Sequence, residues 1–330
     1  MTMSNVYTKR AVRVGLAAVG ACLLCACDQL VSGVGYPIDS GAFTGWTAMD
    51  AGTANMNAVS GVSDGAVWIV GDYGTILMWD GVHLVAEDSG TTANLRAVCA
   101  QDTDNVYAVG DSGVILHRTL GVWTLVGDGV TRQVLTGVWA DLQRVVAVGS
   151  NGTVVLGTSA GFAVVPNSYP ENLLAVSGTP GGNMTIVGAL GLVLTFDGTN
   201  LSRQLTLPSD KLLSGVAATD NGLYMVGQEG SFYWWDDTAL TTISGCPQTP
   251  LRAVATIASD VWAVGWDGTI CSASGVTATS YAYSDSRWFN GVYAASSASI
   301  WVVGASGTVL HGLPLLPDGG QIWLPEGGDQ

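Results

Sequence analysis

The stretch Val67-Trp68-Ile69-Val70-Gly71-Asp72-Tyr73-Gly74-Thr75-Ile76-Leu77 returns, with substitutions, six more times along the chain. Its Val-Gly pair ends at Gly71, Gly110, Gly149, Gly188, Gly227, Gly265 and Gly304, spaced by 39 residues except once, where the gap is 38. A second glycine keeps step at Gly74, Gly113, Gly152, Gly191, Gly230, Gly268 and Gly307. A constant period in this range marks a repeat architecture, each unit being one supersecondary module. Most patterned residues therefore serve the repeat, and chemistry has to be sought where the units differ.

Outward from the glycines, each unit reads as four short strands. The first is L-x-[AG]-V, as in Leu95-Arg96-Ala97-Val98; the second ends in the Val-Gly pair, as in Val261-Trp262-Ala263-Val264. The third follows the second glycine, as in Thr308-Val309-Leu310, and the fourth is weaker, as in Val122-Trp123-Thr124-Leu125. Both glycines are expected to supply the positive φ of a tight turn. Asp80-Gly81 and Asp197-Gly198 punctuate the next hairpin. The strands are apolar on both faces, as in sheets covered on both sides. No helical apolar stripe follows residue 27.

Four-stranded antiparallel sheets repeated radially make a β-propeller. The expected fold is all-β, a seven-bladed propeller of four-stranded antiparallel blades. A linear solenoid would need polar caps at its ends. The seventh unit stops after its third strand, near His311, and Gly45-Trp46-Thr47-Ala48 matches the fourth-strand segment. The N-terminal strand is therefore expected to complete the last blade and close the ring; Gln321-Ile322-Trp323-Leu324 offers a second route. The domain reading is 1–26 lipoprotein signal peptide, 27–42 lipidated Cys and tether, 43–312 propeller, and 313–330 Pro/Gly-rich tail. Aromatic residues three before the Val-Gly glycine (Trp68, Tyr107, Tyr224, Trp262, Trp301) read as packing between blades.

Of the 330 residues, 48% are hydrophobic and 11% charged, which two-sided burial explains. No stretch after residue 27 is long and apolar enough to span a bilayer. Without Lys9, Arg10 and Arg13, eight basic residues face 26 acidic ones, a net of −18. That balance argues against nucleic acid and anionic head groups as partners, because phosphate binding needs a basic footprint. The acidity itself reads as solubility, and a monomer is expected.

The N-terminus has the layout of a secretory signal: Lys9, Arg10 and Arg13, then an apolar run of 11 residues from Val14 to Leu24. The run ends in Leu24-Cys25-Ala26-Cys27, which resembles the bacterial lipobox. That resemblance implies lipidation of Cys27, hence a membrane partner through the anchor and a place in the bacterial cell envelope, with the outer membrane preferred to the inner. Two or three acyl chains anchor durably where one does not. Asp28 is similar to an inner-membrane retention signal of enteric bacteria. Cys22, Cys25 and Cys27 lack His, Asp or Glu among them and do not read as a metal cluster. Of the remaining cysteines, Cys246 and Cys271 are the expected disulfide, and Cys99 reads as a buried free thiol.

No catalytic residue, metal site or cofactor is expected. His117 and His311 share one third-strand slot and read as structural; His83 lies just past a turn. No nucleophile elbow or metal-spaced pair of histidines is present in the sequence. Function is expected on the face carrying the turns between second and third strands, which displays Asp72, Tyr73, Asp111, Glu229, Trp266 and Asp267, with Arg132, Tyr169, Arg287 and Trp288 from the linking loops. The second residue of each first strand (Asn57, Arg96, Thr136, Leu174, Ser214, Arg252, Asn290) should ring the channel there. Arg96 and Arg252 are expected to face each other across it, as solvated rim charges pairing with nearby Asp or as a bidentate contact for an anion or carboxylate. The candidate ligand-binding residues are thus Arg96, Arg252, Tyr73, Trp266, Asp267 and Trp288. Trp266 and Trp288 would form an aromatic platform.

Units such as Val261-Trp262-Ala263-Val264-Gly265-Trp266-Asp267-Gly268-Thr269-Ile270 resemble an exported bacterial propeller family reading V-W-A-V-G-x-x-G-T-I-L-H-W-D-G, over residues 43 to 312. The chain is similar also to the photosystem-II-assembly-factor and neuraminidase-repeat propellers. It lacks the Asp-box of the latter, so the resemblance does not imply sialidase activity. The functional expectation is a non-enzymatic, lipid-anchored platform for a protein or glycan of the envelope. The alternative is a glycan hydrolase or lyase acting at the channel mouth. A quinone-dependent dehydrogenase would require more residues and a cation site.

Overall fold

The computed structural model describes residues 46–207, 211–283 and 286–312. The signal segment, Cys27, the tether, the tail and Gln321–Leu324 lie outside the described residues. Within them the fold is a seven-bladed β-propeller of four-stranded antiparallel blades. Blade 2 runs Leu95–Ala100, Val106–Gly110, Ile115–Thr119 and Val122–Leu125; blade 6 runs Leu251–Ile257, Asp260–Gly265, Thr269–Ser274 and Thr277–Ala282. Blade 7 takes its first three strands from Phe289–Ser296, Ser299–Gly304 and Thr308–Gly312. Its outer strand is Trp46–Asp50, paired antiparallel with Thr308–Gly312, Trp46 opposite Gly312. The two termini of the propeller thus meet in one sheet. Both lie on the face opposite the turns between second and third strands, because Gly312 is the far end of the strand leaving the Ala305–Gly307 turn.

The wedges between blades hold the core. Trp68 joins Val70 and Ile76 of blade 1 to Leu95, Val106 and Leu116 of blade 2. Trp301 is fully buried, with Trp79 at 5.4 Å and the His311 ring stacked at 4.1 Å. His117 stacks on Tyr107 in the same way, at 4.3 Å, and both histidines lie below the ordinary imidazole value because burial disfavours their charge. They are packing residues of the repeat. Trp262 is 4% exposed against Tyr281. Cys246 and Cys271 are joined by a disulfide that ties the segment entering blade 6 to that blade's third strand. Cys99 is free and partly rather than fully buried; its enclosure pushes the thiol up to about 11, despite a bond from the Ala140 backbone.

The two glycines of the repeat do different jobs, which corrects the expectation that both supply positive φ. The second does: Gly74 has φ +72, behind Tyr73 at φ 58, and Thr75 N–H closes on Asp72 O at 3.1 Å. Two successive left-handed residues make a type I′ turn, whose twist suits a hairpin. The first glycine is extended, Gly71 at φ −155, and is required by space. A Cβ there would meet Asn55 O at 2.3 Å; the same overlap recurs at Gly110 with Asn94 O and at Gly265 with Pro250 O. The small third residue of each first strand has a similar cause. A Cβ on Gly137 would stand 3.1 Å from Ala175 Cα of the next blade, so the inner strands touch backbone to backbone around the channel.

The acidic composition has a structural use as well. On the face where the chain enters, Asp80, Asp102, Asp141, Asp197 and Asp236 each accept two backbone N–H bonds that close their own turns.

Candidate functional site

Every inner strand carries a β-bulge at its start: the register shifts between Met56/Ala58, Leu95/Ala97, Leu135/Gly137, Leu173/Ala175, Leu213/Gly215, Leu251/Ala253 and Phe289/Gly291. The extra residue is the second of the strand. A bulge re-aims the side chain it releases, and here it turns seven such residues onto the channel mouth. Four of them latch one blade to the next. Asn57 donates to Leu95 O at 2.8 Å, Thr136 to Leu173 O at 2.7 Å, Ser214 to Leu251 O at 2.6 Å and Asn290 to Met56 O at 3.0 Å. Leu174, in blade 4, has no polar atom to offer.

The two arginines complete the ring and behave differently. Arg96 forms a bidentate pair with Asp111, Nε to Oδ1 at 2.8 Å and Nη2 to Oδ2 at 3.0 Å. Asn94 donates to the same carboxylate at 3.0 Å. The Arg96 contact holds the Asp111 carboxyl below its usual range, and the Asp111 contact raises Arg96 in turn. Arg252 sits at the same bulge in blade 6, exposed, and makes no hydrogen bond or ion pair with any described residue. Enclosure within the mouth, followed by the like charge of Arg96, pulls it below the ordinary guanidinium value. The charge of Arg96 thus acts on Arg252, but Arg96 is neutralised by Asp111 and Arg252 has no such partner among the described residues.

The reason lies one turn away. The position after the Val-Gly pair holds Asp72 in blade 1, Asp111 in blade 2 and Trp266 in blade 6. Asp72 is gripped by Asn55 and Asn57, each at 2.9 Å. Blade 6 replaces the carboxylate with an indole and the preceding amide with Pro250. The Trp266 ring stacks on Trp288 at 4.6 Å and 6°. Trp288 itself is 50% exposed. At three other junctions the position of Trp288 is an asparagine whose Oδ1 accepts the backbone N–H of the preceding blade's turn: Asn94 from Tyr73, Asn172 from Asn151 and Asn55 from Ser306. Between blades 6 and 7 that lock gives way to an aromatic pair.

The structure brings together Trp266 and Trp288, with Arg252 on the adjoining bulge and exposed Asp267 in the same turn. Tyr73 stands apart, on blade 1. It is 78% exposed and held at φ 58, as is Leu190 on blade 4, 58% exposed. Left-handed backbone at a bulky residue is strained, and these two strained residues project from the face that carries the mouth. Among the described residues no group of three His, Cys, Asp or Glu is placed to hold a metal, and no helix is long and apolar enough to cross a membrane.

No protein-family profile matches the chain, and no protein of curated function is similar to it in sequence. Solved structures share its fold. YCF48 bound to a D1 peptide superposes with a TM-score of 0.67 at 16% identity, covering 81% of this chain and 94% of that one. YCF48 from Cyanidioschyzon merolae gives 0.66 at 15% identity, with 83% and 99% covered. The WD40 propeller domain of Doa1 gives 0.70 at 13% identity, with 82% and 97% covered. At these identities the likeness is one of architecture, and it places the chain among the propellers.

Proposed function

We propose that this chain is a lipid-anchored envelope propeller that docks another protein on its mouth face. The observation that carries the reading is the junction of blades 6 and 7, where an asparagine lock is replaced by a half-exposed indole stacked on its neighbour. Exposed aromatic surface beside a charge is the make-up of a contact site. Strained, exposed Tyr73 and Leu190 on the same face support it. The YCF48 structure holding a peptide offers a precedent for the architecture. The Cys25-Ala26-Cys27 segment supports the anchor. An uncharged glycan fits less well, because it would leave the guanidinium of Arg252 unanswered.

A photo-crosslinking residue placed at position 288 tests this in intact cells, with the same residue at Val276, exposed on the opposite face, as the control. A discrete protein adduct from 288 and none from 276 is expected. Equal labelling at both positions, or carbohydrate captured in place of protein, would overturn the reading. Fatty-acid labelling that survives Cys27→Ser would remove the anchor from it.

A further inference from the structure

Blade 2 shows what a bulged arginine in this ring binds: a carboxylate on a short stem, two-pronged, projecting from backbone that runs over the turn face. Blade 6 repeats the arginine and omits the carboxylate. We propose that a docked polypeptide supplies it: an Asp or Glu side chain of the partner pairs with Arg252, and the residue beside it lies on the Trp266–Trp288 surface. This rests on the docking reading above and narrows it to an acidic segment with an adjacent apolar or aromatic residue.

Three features of the mouth favour that ligand. Arg252 is exposed and has no partner among the described residues, so no internal contact must break to receive one. Of the other six ring positions, four are taken up by blade-to-blade latches and one by the Arg96–Asp111 pair, and the sixth, Leu174, has an apolar side chain. A guanidinium prefers a planar carboxylate bound by two donors, as Arg96 holds Asp111. One group opposes binding: the exposed carboxylate of Asp267 in the same turn. It makes no ion pair with Arg252, and its like charge weakens an incoming anion.

The test uses the full chain in detergent and a capped pentapeptide, Ac-Gly-Phe-Glu-Gly-Ser-NH2, against its Gln counterpart. Indole N–H resonances of Trp266 and Trp288, assigned with Trp266→Phe and Trp288→Phe, report binding. The Glu peptide should shift both indoles to saturation and bind at least about tenfold more tightly than the Gln peptide. Arg252→Gln should erase that preference while leaving thermal unfolding unchanged. Asp267→Asn should tighten the Glu peptide. Equal binding of the two peptides, a preference that survives Arg252→Gln, or no shift with either peptide would overturn the proposal. A Gln peptide with a free C-terminus that matches the Glu peptide would put a chain end there instead and overturn the side-chain assignment. A protein adduct from position 288 without any Glu preference would overturn the carboxylate assignment and leave the docking face standing. No adduct and no shift would remove both.

Discussion

In blade 2 the bulged arginine closes on Asp111 and shares it with Asn94. In blade 6 the same bulge carries an exposed Arg252, with Pro250 and Trp266 at the positions of Asn94 and Asp111. Beneath the mouth the two blades are built alike. Each has its strand pairing in the same register, its first glycine pressed against a carbonyl and an aromatic side chain three residues before it, half-buried Tyr107 in one and buried Trp262 in the other. The difference that leaves Arg252 without a carboxylate lies at the mouth, where Asn94 and Asp111 of blade 2 stand against Pro250 and Trp266 of blade 6, and Trp288 adds the stacked ring. A repeat can thus keep its framework constant and make one unit available for binding simply by withholding the groups that satisfy its neighbours. Because the bulged side chain carries none of the core, its partner can be lost without loosening the blade.

The comparison breaks first if blade 6 is soft below the mouth. Trp262→Ala removes an almost fully buried indole and should cost about 3–5 kcal/mol in urea denaturation. A cost under about 1 kcal/mol would mean that exposure at blade 6 reflects loose packing. Gly110→Ala and Gly265→Ala push a Cβ to 2.0 Å from Asn94 O and 2.1 Å from Pro250 O. Each should therefore lose about 2–3 kcal/mol, and by equal amounts, in the same assay. Unequal losses would show frameworks that differ.

Next in size is a control remote from the mouth. Burial would raise the Asp141 carboxyl, but Arg144 and the N–H groups of Gln143, Arg144 and Gly181 outweigh it and hold it at about 2. The unfolded carboxyl titrates near 3.9, so on acidification the unfolded chain takes up this proton first. About 2 kcal/mol of stability is present above pH 5 and lost as pH falls towards 2. Asp141→Asn should flatten that part of a stability-versus-pH curve, whereas Asp111→Asn, on a more exposed pair, should change it less.

The smallest effect sharpens the comparison most directly. Trp266→Asp rebuilds the blade 2 arrangement in blade 6 and should raise stability by no more than about 1 kcal/mol, since the pair stays solvated. Asp111→Asn should lower it by a similar amount. An Arg252 side-chain N–H signal that becomes protected in Trp266→Asp would confirm that the missing group is the carboxylate. No change in that signal would show that the register of blade 6 aims Arg252 elsewhere.

The fold was legible because the period is constant and because the strand absent from the last unit is present before the first, at Trp46. The ring of mouth residues was legible too, since reading the units in columns puts Asn57, Arg96 and Arg252 in one slot. The bulge was harder to foresee. Its cause is the approach of inner strands about 39 residues apart, and its only trace in the sequence is the small residue at Ala58, Ala97 or Gly137. The role of the first glycine is hidden from the sequence for a related reason. Gly71 and Asn55 look unrelated in the chain, and only folding presses one against the other. Arg96 and Arg252 look equivalent until the next column is read, where Asp111 stands against Trp266.

The pairing of Trp46–Asp50 with Thr308–Gly312 also has a mechanical side. The N-terminal segment joins the propeller at Trp46, on one face, and the mouth lies on the other. A pull between them runs along the axis of the outer strand of blade 7. The five residue pairs from Trp46–Gly312 to Asp50–Thr308 then bear the load simultaneously, in shear, rather than parting one after another. The clasp that joins first strand to last is therefore strongest against tension applied along its own strands.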